Sequence, residues 1–134
     1  MTLTTLRRQT SGARTSSRTW SRKFADAFRG LCRAVRTQSS FAVHLGMAGA
    51  VVAAGGFFRV TGVEWSLLVF AIGLVLMAEI FNTAIESLAR APGSRRHPRV
   101  RDALDMASAA VLLAAITAAV IGVIVFGPRM LVWV

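Results

Sequence analysis

Three apolar blocks separated by short polar breaks set the plan of this chain. Apolar residues run almost without interruption from about Phe41 to Phe58, from Trp65 to Leu88 and from Asp102 to Phe126. Roughly 20 apolar residues on a helix cross the hydrocarbon core of a bilayer. Each block therefore predicts a membrane-spanning helix: 41–58, which is barely long enough, then 65–88 and 102–126. Ahead of them, Trp20, Phe24, Phe28, Leu31 and Val35 recur at steps of four, four, three and four residues, the spacing of one helix face. Arg18, Arg22, Lys23, Arg29, Arg33 and Arg36 fill much of the remaining circumference. Residues 19–38 thus predict an amphipathic surface helix whose aromatic anchors and basic face suit the plane of an anionic membrane.

The breaks agree with this plan. Arg59 to Glu64, with Thr61-Gly62, reads as a tight connection, and Ala91-Pro92-Gly93-Ser94 as a helix stop. Asp102 or Asp105 would open the third span, where a carboxylate suits the helix dipole, and Gly127-Pro128-Arg129 would end it. Ala110, Ala114, Ala118 and Gly122 form a small-residue ridge that lets helices approach closely. Gly30 permits a bend in the surface helix. Residues 1–18 are rich in Arg, Ser and Thr and contain no acid, which predicts a disordered basic tail. A transit peptide has a similar composition. A signal-peptide layout is not expected, since the first apolar block begins only near Phe41.

Charge fixes the orientation. The chain is 54% hydrophobic with mean hydropathy +0.58, yet carries a net charge of +10. The two coexist because they are segregated. Nine of the 16 Lys and Arg lie before Gln38 and five lie between Arg90 and Arg101. By the positive-inside rule the amino-terminal arm and the Arg90–Arg101 loop face the cytosol, and the Arg59 loop and carboxyl terminus face outward. A basic chain can also mark a nucleic-acid binder, but charge flanking spans of this length points to a membrane surface instead. Cys32 has no mate within the chain for a disulfide and reads as an ordinary helix residue.

Two carboxylates break the pattern. Between Trp65 and Leu88 the only charged residues are Glu79 and Glu86, with Asn82 between them. Steps of three and four residues return to one helix face, so the three share a narrow arc, Glu79 and Glu86 being roughly 10 Å apart along the axis. A carboxylate at the bilayer centre costs about 2.5–3.5 kcal/mol on insertion scales, so a pair on one face calls for a use. A buried polar seam, or a solvated helix end, is the structural alternative. The orientation puts Glu86 near the cytosolic interface, level with Asp105, and Glu79 one to two turns deeper. His44, near the start of the first span, reads as an interfacial or packing residue rather than a metal ligand.

A basic cytosolic loop above interfacial carboxylates supplies the parts of phosphoryl transfer. Arginines and a histidine can hold polyphosphate, a carboxylate can hold Mg²⁺, and a deeper carboxylate can take a proton from a lipid hydroxyl. Soluble kinase folds are excluded by the lack of a Walker-type loop or protein-kinase signature. Taken alone, these residues suit a lipid phosphotransferase or an ion-coupled transporter equally.

Glu79-Ile-Phe-Asn82-Thr-Ala-Ile-Glu86, followed after eighteen intervening residues by Asp105-Met-Ala-Ser108-Ala-Ala-Val, closely resembles the paired motifs of the prokaryotic diacylglycerol kinase family, which includes undecaprenol kinases. The resemblance runs from the surface helix to the third span. It implies an all-α integral membrane protein of the bacterial inner membrane with its N-terminus in the cytosol. The expected assembly is a homotrimer with three transmembrane helices and an amino-terminal amphipathic surface helix per protomer, neighbouring protomers sharing each active site. The implied activity is Mg²⁺- and ATP-dependent phosphorylation of a lipid hydroxyl on diacylglycerol or undecaprenol. No nucleic acid is implied as a partner.

By position, the resemblance makes Glu79 the general base at the lipid site and Glu86 a Mg²⁺ ligand, with Asn82 supporting it. Arg95, Arg96, His97 and Asp105 fall where the family contacts ATP, and Ser108 falls near the lipid substrate. Gln38 stands where the family has its second metal-binding glutamate, Leu104 where it has a phosphate-binding lysine, and Arg90 where it has an aspartate. Arg95 or Arg96 would then take over from the lysine. The alternative is a non-catalytic trimeric homologue that retains the fold.

Overall fold

The computed structural model describes residues 19–93 and 97–132. The tail expected over residues 1–18 lies outside that range. Four helices follow one another: α1 (Trp20–Thr37), α2 (Ser39–Phe57), α3 (Gly62–Ala89) and α4 (Pro98–Val132). No strand occurs among the described residues. The last three helices are each long and apolar enough to cross a membrane. The fold is all-α, three such spans preceded by an amphipathic helix.

α1 runs unbroken through Gly30. Trp20, Phe24 and Phe28 stand exposed along it, and Ala34 is its one buried residue. The apolar stripe of α1 is therefore largely unburied within the chain. Lys23 sits over the Trp20 ring at 4.6 Å, and Arg29 pairs with Asp26 on the polar side. Gln38 separates α1 from α2 with one extended residue (φ −120°, ψ 117°). It occupies the amino-terminal cap of α2 without making a side-chain capping bond. Its amide is engaged elsewhere.

The α2–α3 connection is tight because its polar groups are satisfied locally. The Val60 N–H donates to Gly55 O at 3.1 Å, and Arg59 adopts a left-handed conformation (φ 49°) to turn the chain. Thr61 then caps α3 reciprocally. The Glu64 N–H donates to Thr61 Oγ1, and the Glu64 carboxylate accepts the Thr61 N–H at 2.7 Å. Such a capping box satisfies two otherwise orphaned groups of a helix start. α3 accordingly begins at Gly62, three residues before the Trp65 expected from hydropathy.

α3 and α4 pack most extensively, with α2 against α3, and α1 touching both α2 and α3. A small core of Val60, Leu68 and Val125 closes the end away from the carboxylates, with Val51, Phe58, Trp65, Ile121 and Phe126 packed around it. Gly55 makes room for it. A Cβ there would lie 2.8 Å from the Trp65 ring, so the indole depends on the missing side chain. Most apolar side chains of the spans, among them Val69, Phe70, Leu112 and Ile124, remain exposed. Exposure on this scale is tolerable where lipid or a partner copy takes the place of water.

α4 is longer than the hydropathy of 102–126 implies, at both ends. Pro98 begins it, because proline at a first helical position has its φ preset and loses no bond it would otherwise make. Its first turn therefore contains neither Asp102 nor Asp105. At the other end the helix continues through Pro128. Arg129, the next residue, donates from Nη1 to Val125 O at 2.7 Å. After α3, Gly93 adopts a left-handed φ of +84°, which favours glycine.

Candidate functional site

The carboxylate face of α3 is directed at the junction of α1 and α2. Glu79 is 2% exposed and Asn82 9%, the buried polar side chains of the core. Both descend from the three- and four-residue spacing of the sequence, which turns Glu79, Asn82 and Glu86 to one side of the helix. The face meets α2 because that helix begins directly after Gln38, so its first turns lie opposite the last turns of α3.

Glu79 is held by α2. Ser40 Oγ donates to Glu79 Oε1, and His44 Nε2 lies 3.9 Å from Glu79 Oε2. His44 is largely covered, its side chain 21% exposed. Ser40 and His44 are one helical turn apart, so a single face of α2 addresses both oxygens of one carboxylate. The sequence suggested packing for His44 and contained no signal for Ser40. Only the pairing of α2 with α3 brings them to Glu79.

Glu86 collects three donors. Gln38 Nε2 donates to Oε2 at 2.8 Å, Asn82 Nδ2 to Oε1 at 3.0 Å, and Arg90 Nη2 to Oε2 at 3.2 Å. Gln38 and Glu86, 48 residues apart, are thus joined in space. Asn82 Oδ1 is buried without a hydrogen-bond partner, as is Thr83 Oγ1. An unpaired buried acceptor costs on the order of 1–3 kcal/mol. It is the kind of group that a ligand or a partner copy relieves.

Beside Glu86 opens a cleft of about 480 Å³ lined by Glu86, Ala89, Arg90, Arg101, Leu104 and Ser108. Ser108 therefore shares a cleft with Glu86. The guanidiniums of Arg90 and Arg101 approach it from the end of α3 and the start of α4. Neither was singled out from the sequence as a phosphate contact. The signal that could have found Arg101 is its three-residue spacing from Leu104, which returns it to the same helix face. His97 and Asp105 are exposed and do not line this cleft. His97 Nδ1 accepts the Arg99 N–H at 3.3 Å and so organises the start of α4. Arg95 and Arg96 lie outside the described residues.

The arrangement has two levels: a buried carboxylate between α2 and α3, and a half-buried one beside a cleft carrying two arginines. It can accept a proton from a group held within the apolar layer, and it can hold an anion at the polar end.

Comparison with known proteins gives this geometry a context. The model of the prokaryotic diacylglycerol kinase family matches residues 25–126, which includes every helix named above in whole or in large part. An undecaprenol kinase of Bacillus subtilis is 31% identical over 109 residues, covering 81% of this chain and 89% of that protein. A diacylglycerol kinase of Synechocystis is 34% identical over 100 residues, covering 74% of this chain and 57% of that protein. With its paired α3 and α4 motifs inside the matched region, the chain belongs to the prokaryotic diacylglycerol kinase family.

Proposed function

We propose that this protein is a membrane lipid kinase, passing the γ-phosphoryl group of ATP to the hydroxyl of a lipid such as diacylglycerol or undecaprenol, with Mg²⁺. One observation carries the reading: a buried carboxylate, Glu79, lies on the same helix face as Glu86, which borders a cleft with two guanidiniums. That combination suits a reaction in which the acceptor never leaves the bilayer and the donor never enters it.

Glu79 is the general base. Its burial keeps water away, so it can take the hydroxyl proton as the lipid oxygen attacks phosphorus, once the lipid hydroxyl displaces Ser40 from Oε1. Arg90 and Arg101 neutralise the polyphosphate, with His97, Asp105, Arg95 and Arg96 contributing to nucleotide contacts. Ser108 borders the cleft on the α4 side, where it can contact the lipid headgroup. Asn82 holds Glu86 in place through Nδ2.

The donor set fits Mg²⁺ in the way that ion is commonly bound. Among the described residues no three Asp, Glu, His or Cys side chains cluster as a metal cage. Mg²⁺ needs none, being bound through one or two carboxylates plus phosphates and water. Glu86 would supply the charge, Gln38 a neutral oxygen after turning its amide, and the unpartnered Asn82 Oδ1 is a further oxygen beside them. When bound, the metal supplies charge neutralisation at the transferring phosphoryl group.

The same reading places the chain in the cytoplasmic membrane as a homotrimer, with α1 on an anionic leaflet and the amino terminus in the cytosol. The exposed apolar faces support a partner copy. The test is phosphate transfer from labelled ATP to diacylglycerol and to undecaprenol in detergent micelles. Glu79→Gln should lower transfer by a factor of about 10²–10⁴ and leave ATP binding intact. ATP binding with no transfer to any lipid would instead favour the non-catalytic homologue, as do Gln38 and the apolar Leu104 in the cleft.

A further inference from the structure

We propose that Ser40 is a second phosphoryl acceptor, phosphorylated on Oγ by the protein itself when no lipid hydroxyl occupies Glu79; the proposal rests on the kinase reading of the site. The bonds made by three other helix hydroxyls set Ser40 apart. Thr37, Ser66 and Thr117 donate to carbonyls four residues back in their own helices. Such bonds merely satisfy the hydroxyl. Ser40 donates instead across the α2–α3 interface to Glu79, a carboxylate that is 2% exposed. It does not serve as the cap of α2, a position held by Gln38.

This is the core of an activated nucleophile: a hydroxyl within hydrogen-bond reach of a buried base, with His44 Nε2 3.9 Å from the other oxygen of that base. The hydroxyl belongs to an exposed residue, while its base is buried. Ser40 is also two residues from Gln38, whose amide donates to Glu86 at 2.8 Å. One short segment thus touches both carboxylates, so the serine lies between the proton acceptor and the nucleotide end. A lipid hydroxyl attacking under base catalysis by Glu79 would need the hydrogen bond that Ser40 already makes.

In the step, Ser40 Oγ attacks the γ-phosphorus of ATP and forms a new P–O bond. The bond from that phosphorus to the bridging oxygen breaks, and ADP departs with the electron pair. The hydroxyl proton passes to Glu79, which later releases it to water. The product, a phosphoserine in the first turn of α2, is favoured there by the helix dipole. Beside the regenerated Glu79 carboxylate it is repelled, so modification frees Glu79 from its serine partner. Lipid and Ser40 compete for one carboxylate.

The experiment uses the full chain in detergent micelles with ATP labelled at the γ-phosphorus, with and without diacylglycerol or undecaprenol. Intact mass and peptide mapping read the protein, and lipid extraction reads transfer. Without lipid, the chain should gain one phosphoryl group mapped to Ser40. Ser39→Ala should retain the label and Ser40→Ala lose it while still binding ATP. Glu79→Gln should label at least about 10²-fold more slowly, and added lipid should suppress labelling. Label on Ser40 without transfer to lipid would sustain the proposal and overturn the lipid-kinase reading. Transfer to lipid from a chain that stays unlabelled, or is labelled elsewhere, would overturn the proposal and leave that reading standing. Neither product would overturn both.

Discussion

Arg129, near the end of α4, clasps Glu64 in the first turn of α3 by two parallel bonds, Nη1 to Oε1 at 2.8 Å and Nη2 to Oε2 at 2.7 Å. A paired guanidinium and carboxylate of this geometry joins specificity to strength. The clasp ties the two most extensively packed helices together at the end opposite the candidate site. The same carboxylate also closes the capping box with Thr61. Arg129→Ala should lower the thermal midpoint in detergent, by less as ionic strength rises, because the pair is partly exposed and salt screens it. Glu64→Gln should be milder than Glu64→Ala, since glutamine can still cap the helix. Lipid phosphorylation at low temperature should survive in all three.

Gln38 and Glu86 make a metal prediction. In their bond the Gln38 amide donates to the Glu86 carboxylate. Gln38→Glu replaces a donor by a second anionic oxygen. Without Mg²⁺ the variant should unfold at lower temperature than the parent, through like-charge repulsion. Titrated Mg²⁺ should stabilise it more than the parent, and half-maximal activity should need less of the ion. An unchanged thermal response to Mg²⁺ would detach the α1–α2 junction from the metal.

Arg101 and Leu104 share one cleft wall. Removing a charge-assisted contact to phosphate typically weakens binding by about 10- to 10²-fold. Arg101→Ala should therefore raise the KM for ATP by about that factor, with little change in the KM for lipid. Adding Leu104→Lys to that variant should recover much of the loss. Failure of the introduced lysine to help would place the phosphates elsewhere.

His44 lies 3.9 Å from Glu79, close enough to position its carboxylate if Glu79 acts as the base. His44→Ala should lower kcat by up to about 10²-fold, leave the KM for ATP unchanged and alter the pH profile of kcat, whereas His44→Asn should recover part of the rate. An equal loss in ATP affinity would mean that the substitution disturbs the fold rather than the base.

The arginine bias of the amino arm and the Arg90–Arg101 loop predicts topology. A reporter inserted at Ser94 should be cytosolic, and one fused after Val134 should lie outside. Both on one side would refute three spans.

By itself the sequence determined the all-α class, the three spans, the amphipathic α1, the shared face of Glu79, Asn82 and Glu86, and the paired motifs of the family. These are legible because hydropathy, charge segregation and helical period are properties of consecutive residues. The helix ends were less so. α3 starts early through the Thr61–Glu64 capping box, α4 starts at Pro98, and α4 runs past Pro128 to Arg129, which donates to Val125 O in its own helix and pairs with Glu64 in α3. Tertiary structure alone decided which donors the carboxylates meet. Ser40 and His44 reach Glu79, Gln38 reaches Glu86, and Arg101 joins Arg90 in a cleft, because α2 and α4 pack against the polar face of α3. Periodicity names the face a residue occupies. It does not name the helix opposite, because that choice is made by packing between segments far apart in the chain.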